Sequence, residues 1–168
     1  MNLLVNFFKS NNDERNQEYL FALDRNIDNE YIDTIFLFVE DMSHVEGIES
    51  EKVKIVELDS RPTFQDIIDF GNKELKGQQC IISNTDIFMD DTLSHVKDND
   101  ISNLFLSLTR WDVKTDGTIE YYDVENKGWT QDTYIYESPI DIKDANFFVG
   151  LPGQENRLAY LAYEAGLN

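Results

Sequence analysis

The chain has little sulfur and little imidazole: one cysteine, Cys80, and two histidines, His44 and His95. A lone thiol excludes an internal disulfide and any CxxC-type zinc site. Two histidines in acidic, exposed-looking segments, without matching spacing, make no metal-ligand case. There are only three prolines among 168 residues. No Pro/Gly/Ser-rich linker or repeat divides the chain, so residues 1–168 read as one domain. No apolar run approaches the roughly 20 residues of a membrane span. The start, Met1 to Phe8, lacks a basic flank and a small-residue cleavage site, so it reads as a strand and not a signal peptide. Together these features point to the cytoplasm. Basic residues are scarce as well: 14 against 33 acidic ones, a net charge of −19. Such a surface repels phosphate backbones, which argues against nucleic acid as a partner. The charge itself reads three ways. It confers solubility, it makes a nucleotide ligand dependent on a divalent cation, or it mimics nucleic acid in a non-enzymatic decoy.

What is present is a folding composition, 41% hydrophobic and 12% aromatic. The first half alternates strand and helix patterns. Residues 3–8 read as a strand, and residues 14–26 place Tyr19, Leu20, Leu23 and Ile27 at helical spacing. Ile35 to Val39 is a nearly continuous apolar run, as in a strand covered on both faces. Val53 to Leu58 alternates and reads as a more exposed strand. Thr63-Phe64-Gln65-Asp66 is a capping-box pattern with Asp in the usual Glu position, and Lys76-Gly77 closes the helix it opens. Gln79 to Ser83 is a short buried strand. This alternation predicts a mostly parallel sheet. In the second half a short helix is expected from Asp91 to Val96. Strands are expected at Leu104 to Thr109, Tyr121-Tyr122, Tyr134 to Tyr136 and Phe147 to Val149, some in an antiparallel extension. A last helix through Leu158, Leu161, Ala162 and Ala165 ends at Gly166.

The segment richest in chemistry is Ile81-Ile82-Ser83-Asn84-Thr85-Asp86. A buried strand runs into a polar triplet and an acidic turn. Ligands of open parallel sheets sit beyond the carboxyl ends of strands, where Asp86 is expected. Its carboxylate is a hard oxygen ligand suited to Mg²⁺ or Mn²⁺ and to neutralising a diphosphate leaving group. The competing reading is that Asp86 caps a turn; for Asp90 and Asp91 the cap is the preferred reading.

Asn84-Thr85-Asp86-Ile87 resembles the Asp-x-Asp metal motif of GT-A-type glycosyltransferases, in a variant with a non-acidic first position. Three further matches follow in the order of one branch of that family: Ser107 to Asp112, Gln131 to Tyr136, and Gly150 to Tyr160. The resemblance covers roughly residues 80–166. It implies a GT-A-like, Rossmann-like α/β fold: a mostly parallel sheet, helices on both faces and a small antiparallel extension. Residues 1–83 would form the nucleotide-binding half and residues 84–168 the metal and acceptor half. The family continues beyond the helix ending at Gly166, so this chain is expected to be a shortened version.

Carried over by position, the resemblance implies a nucleoside-diphosphate sugar as donor, an unknown acceptor, and Mn²⁺ or Mg²⁺. Phe7, Phe8 and Lys9 would face the base or phosphates. Asp86 would hold the metal, with Asn84 beside it or the ribose. Arg110 would pair with a phosphate or acceptor group, with Asp112 in the same cleft. Gly150 and Gly153 would permit close backbone approach. Asp132 and Glu155 are the two candidate bases for the acceptor hydroxyl, and the sequence does not separate them. Each role has a structural rival. Arg110 can salt-bridge any of many carboxylates, Asp132 can sit in a turn, Glu155 can simply favour a helix N-terminus, and Trp111 and Trp129 can be packing residues. A binding module without transfer and an acidic decoy remain as alternatives to the transferase.

Overall fold

The computed structural model describes residues 1–114, 116–121, 131–151 and 153–168. Strand β1 (Asn2–Asn6) is buried along its whole length. Helix α1 (Asp13–Asp28) follows, with the Asn12 side chain accepting from the Glu14 amide as N-cap. Strand β2 (Thr34–Val39) is joined by a 3-10 turn to β3 (Val53–Glu57), whose side chains are mostly exposed or half-buried. Helix α2 (Phe64–Glu74) opens with the expected capping box: Thr63 accepts from the Asp66 amide, and Asp66 accepts from the Thr63 amide. Strand β4 (Gln79–Ser83) leads to a 3-10 turn and the short helix α3 (Ser94–Lys97). Then come β5 (Phe105–Leu108), β6 (Trp111–Val113), β7 (Ile119–Tyr121), β8 (Thr133–Glu137) and α4 (Gln154–Glu164).

Six strands form one sheet in the order β3-β2-β1-β4-β8-β5. The β3-β2-β1-β4 part is parallel. Strand β8 enters antiparallel between β4 and β5. Strands β6 and β7 form a separate antiparallel pair. This is a Rossmann-like α/β architecture with a small antiparallel extension.

Both faces of the sheet are covered, which is why its central strands read as unbroken apolar runs. Leu3, Val5, Leu37, Ile81 and Ile135 pack with Tyr19 and Leu23 of α1. Leu4, Phe38, Ile82, Tyr134 and Tyr136 pack on the other face with Phe64, Ile67 and Ile68 of α2 and Leu158 and Ala162 of α4. Strand alternation sends successive side chains to opposite cores. Cys80 lies fully buried in the second core, where burial pushes its thiol up to about 12, so it is no nucleophile.

Two expectations change. Phe147 to Val149 is not a strand but part of a strap. Its pairing among the described residues is a single Thr63–Phe148 bridge, and the Phe147 and Ala145 carbonyls accept from the Phe64 and Gln65 amides. The strap thereby satisfies free N–H groups at the start of α2. Residues 134–136 belong to the main sheet, not to the outlying extension. Tyr122, Trp129 and Pro152 lie outside the described residues.

Candidate functional site

The strand order reverses between β1 and β4: the chain runs from β1 outward through β2 to β3, then crosses α2 to β4 on the other side of β1. The divergence of connections at such a switch point leaves a crevice at the carboxyl ends of the two strands. A half-open cleft of about 170 Å³ lies there. It is lined by Asn6 and Phe8 after β1, Arg15 and Tyr19 of α1, Arg61 before α2, Asn84, Thr85 and Asp86 after β4, and Val149 and Gly150 of the strap.

Each wall is held from behind. The Thr85 hydroxyl donates to the Asn6 carbonyl at 2.7 Å, tying the end of β4 to that of β1. Asn26 of α1 donates to the Ile87 carbonyl and accepts from the Met89 amide, both at 2.9 Å. These contacts clamp the residues on either side of Asp86. On the opposite wall, Arg61 donates to the Val149 carbonyl at 2.9 Å, and its guanidinium lies 5.0 Å from the Phe148 ring centroid. Gly150 has φ +73°, a left-handed angle that favours glycine, and a methyl group there would meet Asn84 Oδ1 at an ordinary 3.6 Å.

Asp86 faces this cleft with its side chain about one-third exposed. It accepts from Arg15 Nη2 at 2.8 Å, and Arg15 also pairs with Glu18. The Arg15 guanidinium lies 5.2 Å from the Tyr19 ring centroid. Burial works against its charge, but the hydrogen bonds to Asp86 and Tyr19 outweigh that and raise its pKa.

A second polar group lies behind Asn84. The Asp132 Oδ1 accepts from Arg110 Nη1 at 3.0 Å and from Asn84 Nδ2 at 3.3 Å. Arg110 Nε donates to Asp112 at 2.9 Å. Asp132 is 8% exposed, and its Oδ2 is buried with no hydrogen-bond partner among the described residues. Glu155 sits at the N-terminus of α4. Burial raises its pKa, the backbone amides of Gly153, Gln154 and Glu155 pull it down, and the Asp132 charge raises it further. Burial, then the charges of Glu155 and Asp132, likewise push the Tyr134 hydroxyl up.

The expected site residues thus divide. Phe8, Asn84, Asp86 and Gly150 meet in the cleft. Arg110, Asp112 and Asp132 form the neighbouring group, joined to the cleft through Asn84, and Glu155 lies within reach of the Asp132 charge without lining the cleft. Phe7 falls outside: alternation from Leu3 and Val5 carries it into the α1-side core, where it is 4% exposed. Lys9 is exposed and does not line the cleft. Gly153 caps α4 in the left-handed region with open space around it, so it provides a turn and not a close approach. Asp90 caps the 3-10 turn before α3, accepting from the Thr92 amide. Trp111 is 60% exposed and touches Tyr121 edge-on, so it is not buried packing.

Arg15 and Arg61 are the cleft residues that sequence reasoning passed over. Their signal was scarcity. The chain has five arginines, and these two follow the ends of β1 and β3, where the switch point gathers its loops.

No family model matches the chain, and no curated protein matches it. Among solved structures it is similar to 2-C-methyl-D-erythritol 4-phosphate cytidylyltransferase from Francisella tularensis, with a TM-score of 0.46 and 11% identity over 81% of this chain and 72% of that one. It is similar to the same degree to 4-diphosphocytidyl-2C-methyl-D-erythritol synthase from Anaerococcus prevotii, with a TM-score of 0.46 and 12% identity over 81% and 70% of the two chains. At these values the likeness carries no argument about activity or substrate. Among the described residues, no helix is long and apolar enough to cross a membrane.

Proposed function

We propose that the chain binds a nucleoside-diphosphate sugar in the switch-point cleft and transfers the sugar to an acceptor hydroxyl, as a GT-A-like glycosyltransferase. One observation carries this reading: two guanidinium groups and the Phe8 ring line a single cleft at the β1/β4 switch point of a chain whose net charge is −19. An aromatic ring offers a face to a nucleobase, and guanidinium groups match phosphate oxygens. Two guanidinium groups gathered in one cleft favour an anionic small ligand over the decoy reading of the acidic charge.

Of the two candidate bases, Glu155 suits the role better. Burial together with the Asp132 charge raises the pKa of Glu155, which makes its carboxylate a stronger proton acceptor than an ordinary one. Asp132 is held by Arg110 and Asn84, which suits a group that orients its neighbours.

The divalent cation implied by the motif fits these residues poorly. Among the described residues, no three His, Cys, Asp or Glu side chains group closely enough to hold a metal without oxygens from the ligand itself. The cleft offers one carboxylate, Asp86, and it is already paired with Arg15. No step of this reading is therefore routed through a metal.

The test is sugar release from UDP- and GDP-sugars, with and without acceptor glycans. Turnover that falls by about a hundredfold in kcat on Glu155→Gln is the expected result. Nucleotide binding without turnover would leave only a binding module. That second reading has its own support in the ion pairs that already occupy Asp86 and Asp132. Absence of nucleotide binding under every condition would remove both.

A further inference from the structure

We infer that the diphosphate in this cleft is neutralised by the Arg15 and Arg61 guanidinium groups in place of a divalent cation, with Asp86 acting as the internal anion that Arg15 exchanges for phosphate. The inference rests on the cleft being a nucleoside-diphosphate site, and it concerns how the charge of the ligand is met.

Three observations point this way. First, cations are scarce in this chain, yet two of its five arginines line the same cleft. Second, Arg61 makes no ion pair among the described residues. It is held in place by a carbonyl and an aromatic ring, the Val149 oxygen and the Phe148 face. That anchoring fixes its direction and leaves its charge without a carboxylate partner among the described residues, in a molecule with carboxylates to spare. Third, the carboxylate expected to bind metal is already paired with a guanidinium 2.8 Å away, which it shares with Glu18. A cation binding Asp86 would have to displace Arg15 or stand beside its positive charge. A phosphate meets the opposite situation, because it can take Arg15 from Asp86 and Glu18, both partly exposed and able to turn to water. Arg–phosphate pairs are charge-assisted and often bidentate, so such an exchange yields a stronger contact than the exposed pair it replaces.

The two charge-neutralising schemes predict opposite outcomes at one residue. If Asp86 holds a metal, Asp86→Asn abolishes nucleotide binding. If Asp86 competes with phosphate for Arg15, the same change leaves binding intact or tightens it several-fold. Calorimetric titration of the full chain with UDP, GDP and CDP, in EDTA and then in Mg²⁺ or Mn²⁺, decides between them. The expected result is a Kd in EDTA within about twofold of that with metal, at least tenfold weakening by Arg15→Met and by Arg61→Met, and no loss on Asp86→Asn. Circular dichroism and thermal melts confirm that each variant is folded. Binding that requires the metal and disappears with Asp86→Asn would overturn the inference and leave the nucleotide-sugar reading standing. No binding of any nucleotide, with or without metal, would overturn both.

Discussion

Two arginine–aspartate pairs flank Asn84, and they differ in what surrounds them. Arg15–Asp86 lies in the cleft at 2.8 Å, with side chains 44% and 32% exposed. Arg110–Asp132 lies behind it at 3.0 Å, with side chains 31% and 10% exposed. The first pair is open to exchange, because phosphate can take the place of Asp86 on Arg15 while water solvates the freed carboxylate at small cost. The second cannot, because Asp132 is buried and leaving it unpaired exposes the full desolvation penalty of a charge. The same two residue types therefore supply an exchangeable contact on one side of Asn84 and a fixed support on the other.

The sharpest way to break this comparison is to remove the arginine from each pair. Arg110→Met takes the ion-pair partner from a buried carboxylate, leaving the Asn84 amide on one oxygen and, among the described residues, no partner on the other. It should cost about 2–3 kcal/mol, lowering Tm by roughly 5–10 °C. Arg15→Met should cost less than about 1 kcal/mol, while its effect on nucleotide binding is the larger of the two. Thermal melts of both variants check this. Equal losses of stability would show that exposure does not separate the pairs.

A smaller effect is expected where the strap meets Asn84. Gly150→Ala places a side chain at φ +73°, in the left-handed region. The space is sufficient, since 3.6 Å to Asn84 Oδ1 is ordinary contact. The cost is therefore backbone strain, about 1–2 kcal/mol, seen as a fall in Tm of a few degrees. The added methyl also narrows the cleft, so nucleotide affinity should fall in the same variant. A neutral melt would mean that the strap relaxes and does not fix the cleft wall.

Much of the architecture was legible because local and global preferences agree. The apolar runs of β1, β2 and β4 follow from coverage on both faces, and the Thr63–Asp66 capping box marks the start of α2. The emergence of Asp86 at a strand end followed from the same pattern. What was not legible depends on contacts distant in sequence. Phe147 and Val149 alternate like a strand because they lie apolar-side down on the second core, yet the Phe147 carbonyl serves the first turn of α2 and the Val149 carbonyl accepts from Arg61. The insertion of β8 between β4 and β5 joins segments some fifty residues apart, which no periodicity encodes. Arg15 reads as one charged residue on a polar helix face; only the fold brings it to a carboxylate 71 positions away.

The smallest expected effect tests whether the charge of Asp132 reaches beyond its own pair. Burial first, and then the Asp132 charge, hold the Glu155 carboxyl above its ordinary value of 4.5. A carboxyl raised on folding contributes stability that is fully present below the ordinary value and is lost as pH rises through the folded one. At neutral pH the ionised Glu155 therefore works against the fold, although its partial exposure screens the effect. Glu155→Gln removes that charge and keeps the shape. Its Tm should match that of the parent well below pH 4.5 and exceed it, on the order of 1 °C, at neutral pH. In an Asp132→Asn background the gain at neutral pH should shrink, because one source of the repulsion is gone. A gain independent of pH, or unchanged in that background, would mean that the fixed pair behind Asn84 and the first turn of α4 do not sense one another.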